Sequence, residues 1–444
     1  MEDYRRIADE VADDIASGAL RPGDRLPPQR AFARERGIAA STASRVYGEL
    51  VRRGLAVGEV GRGTFVRAAG PRPSSALTEP SAGARTDLEL NYPIVAGQAA
   101  LLAGGLGRML RPDVLGAALA PLGVAGTPAA REAVAGLLAV ADPGRVLFAG
   151  NGRQAIAGAV AALARPGERL AAEALTYPVV KAIAARLGVT LVPVEVDADG
   201  MVPGALAEAA RRHGPLRGAY LQPTLHNPYG TTMSAERRAE LAAMLDRLGL
   251  DAIEDRVWAF LNPDAPPPLA AFAPDRTILV DSLSKRLAPG LTVGFAAAPP
   301  PLAVRVAAAL RSGGWAPAGF ALDAATGWIA DGTVDAIVGA KRDDAAARQR
   351  IAAELLPEAG VRTDPHAYFC WWDLPAPWRA ETFVAAAGRR GIAVTPGAAF
   401  AVGSGSSPRA VRIGLASPPP EALGRALGVL AEIARGTPDD SAPD

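Results

Sequence analysis

Between residues 68 and 87 the chain offers one large apolar side chain, Leu77, among alanine, glycine, serine and proline. No single core can run through such a stretch, because it buries too little to offset the entropy of ordering it. Separate folding units on a flexible tether are therefore expected. They are a domain over 1–67, the tether over 68–87 and a large region over 88–435, with a disordered tail over 436–444. A length of 444 residues allows two or three domains.

Beyond Leu88, Ala-rich helical segments alternate with short apolar runs at 169–172, 191–194, 218–222, 252–254, 277–280 and 293–297. That alternation predicts an α/β fold with a mainly parallel sheet, whose functional groups collect at the carboxyl ends of strands. Several distinctive residues fall at such ends. Gly152, Arg153 and Gln154 open a long Ala-rich helix, where free amides favour an anion. Tyr177 follows the first run, Asn227 lies shortly after the 218–222 run, and Asp255 closes the next. Lys285 follows the 277–280 run, between Ser282, Ser284 and Arg286, and Arg412 lies between Val411 and Ile413.

Lysine is scarce: Lys181, Lys285 and Lys341 are the only three among 47 basic residues. A lysine kept in a small-residue, Ser-flanked turn supplies what arginine cannot, an amine able to form a Schiff base with a carbonyl. A solvated surface lysine is the plain alternative. The wider inventory matches a pyridoxal-phosphate (PLP) site, which needs an amine, a carboxylate for the pyridine nitrogen, an amide for the ring oxygen and a flat stacking side chain. It also needs a helix start for the phosphate and an arginine for a substrate carboxylate.

The first 67 residues follow another plan. Tyr4, Ile7, Ala8, Val11 and Ile15 recur at helical spacing. Pro27 opens a second short helix, and Ser41 or Thr42 starts a third, with Val46, Tyr47 and Leu50 on its apolar face. Short strands are expected near 56–57 and 64–66, around the Gly61-Arg62-Gly63 tip. Residues 30 to 67 hold eight arginines against three glutamates, in a chain whose net charge is only +1. A local basic excess suits phosphate backbones even when the whole is neutral. Three helices plus a hairpin make a winged helix-turn-helix.

Both halves resemble known families. Leu26-Pro27-Pro28-Gln29-Arg30, the segment from Ser41 to Leu50 and Gly61 to Val66 resemble the GntR-type DNA-binding domain. The resemblance implies DNA contacts from Arg30, Ser41, Thr42, Arg45, Arg62 and Gly63. Ala39 and Ala40 depart from it, standing where the family has a polar residue and an arginine. The order of site residues over 88–435 resembles the class I aminotransferase fold (fold type I), with a large part to about residue 300 and a smaller α+β part from about 301. It implies Lys285 as the Schiff-base lysine, Asp255 as the partner of the pyridine nitrogen and Asn227 as the ring-oxygen donor. Tyr177 would be the stacking ring, with Trp258 beside it. Gly152, Arg153, Gln154, Ser282 and Ser284 would lie at the phosphate, and Arg412 would clamp an effector or substrate carboxylate. The fusion resembles the MocR group of transcription regulators, which are PLP-binding dimers.

Four positions depart from the aminotransferase pattern. Thr292 replaces an arginine that holds the phosphate, Trp258 replaces a tyrosine, and Pro121 or Leu122 stands where a tyrosine is usual. Arg153 occupies a usually neutral place. Either Arg153 replaces the lost phosphate arginine, or cofactor binding is eroded and the domain is a scaffold. The expected function is a dimeric regulator that binds double-stranded operator DNA and senses PLP, an amino compound, or both. The alternatives are a PLP-dependent aminotransferase with a vestigial DNA-binding domain and a cofactor-free regulator. A single cysteine, Cys370, excludes an intrachain disulfide, no apolar run approaches the roughly 18–20 residues of a membrane span, and a cytoplasmic protein is expected. His213, His226 and His366 lack metal-ligand spacing, so no metal site is expected.

Overall fold

A computed structural model of the chain describes every residue except 1, 2, 18, 21–23, 53, 54, 60–62, 67–85, 358, 404–407 and 439–444. The tip of the expected wing with Arg62, the tether up to residue 85 and the tail from residue 439 lie outside the described residues.

An apolar stripe of Tyr4, Ile7, Val11 and Ile15 turns α1 (Asp3–Ser17) onto α2 (Gln29–Glu35) and α3 (Ala40–Arg52), around a small core that includes Phe32, Val46 and Leu50. Helix α3 starts slightly before the expected Ser41 or Thr42, because Ala39 O already accepts from Ala43 N at 3.0 Å. Strands β1 (Ala56–Glu59) and β2 (Gly63–Val66) pair antiparallel as the expected hairpin. The segment before α2 joins their edge, with Leu26 N donating to Thr64 O at 2.9 Å and Val66 N to Asp24 O at 2.8 Å.

Thr86 and Asp87, expected at the end of the tether, instead form β3 (Thr86–Asp87), paired with Ile392–Ala393. The large sheet contains β4 (Val146–Ala149), β5 (Arg169–Glu173), β6 (Thr190–Val194), β7 (Leu216–Leu221), β8 (Asp251–Asp255), β9 (Thr277–Ser282) and β10 (Gly294–Ala297). Its order is β4-β10-β9-β8-β7-β5-β6, with β10 antiparallel to both neighbours and the other pairings parallel. All strands but β10 therefore end on one edge. Near-continuous apolar runs such as 277–280 suit strands covered on both faces, and every residue of β9 is buried.

Helix α4 (Gly152–Leu163) covers one face of the sheet. A short helix, α5 (Leu283–Arg286), follows β9. Helix α6 (Pro300–Ser312) packs against α4, where Gly158 admits Leu310: a Cβ there would lie 2.5 Å from Leu310 Cδ2. Helices α7 (Gly319–Ala330) and α8 (Thr333–Leu355) follow. Leu322, Trp328, Val334 and Ile337 still belong to the core beside the large sheet, whereas Ala352, near the end of α8, belongs to the core of the smaller part. That part holds a four-stranded sheet in which β11 (Phe369–Asp373) pairs antiparallel with β12 (Ala410–Gly414). Cys370, Trp371 and Trp372 are buried in it, as their apolar context predicts. Gly436, expected in the tail, accepts a 2.9 Å hydrogen bond from Trp378 Nε1.

Candidate functional site

The edge where the strands end opens into a cavity of about 310 Å3. Gly152, Arg153, Tyr177, Asn227, Asp255, Trp258, Ser282, Ser284, Lys285 and Arg412, distant in sequence, all line it. Gln154 does not. Its main-chain N–H donates to the capping Asn151 Oδ1 at 3.0 Å, while its side-chain Oε1 is buried without a partner among the described residues. The Asn151 cap begins α4 with an extended residue and contributes about 1 kcal/mol. Two approaches at this loop are very tight. A Cβ on Gly152 would lie 2.8 Å from Ser282 Oγ, and one on Gly294 would lie 2.1 Å from Asn151 O.

Lys285 rises from α5 into the cavity. Its Nζ donates to Asn91 O at 2.5 Å and sits 4.3 Å from the centre of the Tyr92 ring and 5.2 Å from that of Trp258. Burial, reinforced by the positive charges of Arg412, Arg153 and Lys341, lowers its amine to about 7. A substantial neutral fraction at physiological pH makes that amine a nucleophile.

Asp255 ends β8 and is buried. Tyr220 Oη donates to its Oδ2 at 2.6 Å, Gln222 Nε2 to the same oxygen at 3.1 Å, and Val257 N to Oδ1 at 3.1 Å. Burial raises its carboxyl to about 6, while these donors oppose the rise. Asn227 Oδ1 is buried without a partner among the described residues. Its neighbour His226 is a satisfied loop histidine, with Nε2 3.0 Å from Leu175 O. Arg153 forms a side-chain hydrogen bond with Tyr177, whose phenol burial pushes upward.

Arg412 enters from β12, across the cavity. Its Nη2 donates to Glu89 O and, at 3.1 Å, to Thr395 Oγ1, whereas its Nε is buried without a partner among the described residues. Burial lowers the guanidinium to about 10, so it stays charged at neutral pH. Thr292, in the place of the expected arginine, is engaged with Ser284: their hydroxyls lie 2.6 Å apart.

Sequence reasoning missed Asn91, Tyr92, Tyr220 and Gln222. Tyr220 and Gln222 carried a signal, since both lie in the 218–222 run whose end faces the site. Asn91 and Tyr92 carried none, because they meet Lys285 across 194 residues.

A polar, concave site with orphaned buried groups fits an aromatic phosphate cofactor. Among the described residues Asn227 Oδ1 and Arg412 Nε lack partners, the amine and the carboxylate face one cavity, and the Gly152 loop packs on Ser282 without room for a side chain.

On the small N-terminal domain, Arg30, Ser41 and Arg45 are exposed and Thr42 is partly so. The Arg45 guanidinium also lies 6.0 Å from the centre of the Tyr4 ring. Gly63 begins β2, and Arg62 lies outside the described residues.

Residues 121–430 match the family model for aminotransferase class I and II, and residues 3–66 match that for bacterial regulatory proteins of the gntR family. The chain is 29% identical over 425 residues to the uncharacterized HTH-type transcriptional regulator YdeF of Bacillus subtilis, covering 94% of this chain and 90% of that one. It is 27% identical over 450 residues to the HTH-type transcriptional regulator TauR of Rhodobacter capsulatus, covering 89% of each. Among solved structures, LysN, an alpha-aminoadipate aminotransferase from Thermus thermophilus, superposes with a TM-score of 0.71 at 24% identity, over 80% of this chain and 92% of that one. That likeness establishes fold type I.

Proposed function

Because the chain belongs to the aminotransferase class I and II family and carries a gntR-type domain ahead of it, the MocR-type arrangement, we propose that it is a transcription regulator whose aminotransferase-like pocket binds PLP and an amino compound. The observation that carries this reading is the cavity that joins Lys285, Asp255, Asn227 and Arg412, in a chain that also carries a winged helix.

Bound there, PLP supplies an aldehyde carbon and an electron-accepting ring. Lys285 presents a largely desolvated amine to that carbon. Asp255, oriented by Tyr220 and Gln222, would partner the ring nitrogen, whose positive charge would favour its ionised form. Tyr177 and Trp258 offer flat faces, and Asn227 offers an amide to a ring oxygen. Gly152, Ser282 and Ser284 would hold the phosphate at the start of α4. Arg412, with its free Nε, binds the carboxylate of the amino compound.

The DNA-binding reading rests on the gntR match and on the exposure of Arg30, Ser41 and Arg45. Partnership with a second copy is supported by exposed apolar side chains. Of the ten large ones exposed among the described residues, Ile94, Leu101, Leu110, Leu115 and Leu119 lie within one stretch. An effector that alters the relation of two such copies changes the spacing of their DNA-binding domains.

The test has two arms. Titration with PLP is expected to raise a visible absorption band in the wild type and none in Lys285→Ala. Duplexes selected from a random library by the wild type are then expected to bind Arg30→Ala at least tenfold more weakly, with effector amines changing wild-type binding only when PLP is present. No band at saturating PLP would sink the sensor reading. Selection of no preferred duplex would sink the regulator reading, and amino-group transfer at a useful rate would favour the enzyme.

A further inference from the structure

The pocket explains Lys285 but not Lys341. Lys341 lies on α8 with no exposed surface. Its Nζ donates to the main-chain carbonyls of Lys285, at 2.7 Å, and Leu287, at 2.5 Å. Among the described residues no carboxylate stands within ion-pair distance of it. Asp344, one turn further along α8, is taken by Arg348 Nε at 2.7 Å and by the Tyr368 hydroxyl at 2.9 Å.

These bonds fall where α5 most needs them. A four-residue helix leaves its final carbonyls without helical partners, and α5 is the helix that carries the pocket amine. Lys341 takes one of those carbonyls, that of Lys285, and that of the capping residue Leu287, which Gln98 Nε2 shares at 3.1 Å. Two turns along α8, Arg348 Nη1 donates to Leu415 O at 2.6 Å and to Pro418 O at 2.7 Å, just beyond the strand that carries Arg412. One helix thus grips the main chain at both ends of the cavity.

We propose that Lys341 is a positioning residue for Lys285, clamping the end of the helix that carries the amine and placing a second buried amine behind it. The inference rests on the reading of Lys285 as the cofactor amine only for its purpose; the clamp itself is testable without cofactor.

The electrostatics add a consequence that a purely structural cap would lack. Lys285 faces Arg412 and Arg153, with Asp255 across the cavity. Lys341 faces Lys285, Asp344 with its partner Arg348, and the Tyr368 hydroxyl. Arg286, on the same short helix, is closed on Asp281 at 2.8 Å. Burial lowers Lys341 to about 7, as it does Lys285, and charge on either amine disfavours charge on the other. Loss of Lys341 removes part of the pressure that keeps Lys285 neutral.

With only three lysines in the chain, trace acetylation by acetic anhydride across a pH series reads each amine on its own peptide. The full-length protein without PLP is compared with Lys341→Met, which removes both charge and donors, and Lys341→Gln, which keeps donors without charge. Wild-type Lys285 is expected to react with a midpoint near neutral pH while Lys341 stays sealed. In the variants the Lys285 midpoint moves upward, and its rate at neutral pH falls about 1.5- to twofold, the change in neutral fraction at the wild-type midpoint for roughly 0.3–0.5 pH unit. An unmoved midpoint in either folded variant overturns the proposal. If neither variant folds, acetylation of wild-type Lys341 at the rate of Lys285 overturns it, and a sealed Lys341 supports it. A shifted midpoint in a protein that never responds to PLP removes the cofactor reading and leaves the coupling of the two amines standing.

Discussion

At the scale of single residues, the pocket turns on one exchange of charge for a hydroxyl. Thr292 is spent on Ser284, so the side of the cavity where an arginine was expected carries no charge from that position. A charge-assisted hydrogen bond is worth about 1.5–3 kcal/mol, or roughly ten- to a hundredfold in affinity. Thr292→Arg is therefore expected to tighten PLP binding at least tenfold in an absorption titration, despite loss of the Thr292–Ser284 contact. Unchanged or weaker binding would mean that the phosphate charge is already met, with Arg153 the candidate. Residue identity made this much legible: the scarcity of lysine singled out Lys285, and Asp255 and Arg412 stood out as charges inside apolar runs. The partners that tune them were hidden. Lys341 reads as one more surface lysine on a helix until folding brings its amine to the carbonyl of Lys285, 56 residues away.

Among elements, the strands were legible because apolar runs covered on both faces need little context. Their junctions were not, because those depend on what arrives from elsewhere. The last tether residues become β3 only because Ile392 and Ala393 offer an edge, and α6 stays with the large sheet because Gly158 lets Leu310 in. The tightest junction holds the start of α4 against β10 through Gly294. Any Cβ there strikes main-chain atoms of Asn151, which cannot rotate aside. Gly294→Ala is expected to lose about 1–3 kcal/mol of stability or more in urea melts and to weaken PLP binding, because the displaced loop carries Gly152. Gly290→Ala is the matched control, since nothing lies within 4 Å of a Cβ at that position. Equal behaviour of the two variants would remove the loop from the account of cofactor affinity.

For the whole molecule, the question is how a pocket in one domain reaches a winged helix in another. Among the described residues the ion pairs between the two domains are few: Arg379 Nε lies 2.8 Å from Asp9 Oδ1, and its Nη1 lies 3.5 Å from Asp13 Oδ1. Pairs with partly exposed partners contribute at most about 1 kcal/mol, too little to fix the orientation of a domain against a change in the pocket. In the proposed dimer a second copy would supply a further constraint, and bivalent attachment to DNA would magnify small changes in spacing. The exposed leucines between residues 101 and 119 are where such a partner gains most, since Leu110 and Leu119 are 80% and 81% exposed. Paired substitution Leu110→Glu with Leu119→Glu is expected to convert a sedimenting dimer into a monomer of about 45.5 kDa. It should leave the PLP band in place where the pocket is built from one chain, and weaken binding to selected duplexes by roughly a hundredfold. A variant that remains dimeric would move the interface elsewhere. A monomer that keeps full DNA affinity would separate dimerisation from DNA recognition, and regulation would then have to pass within a single chain.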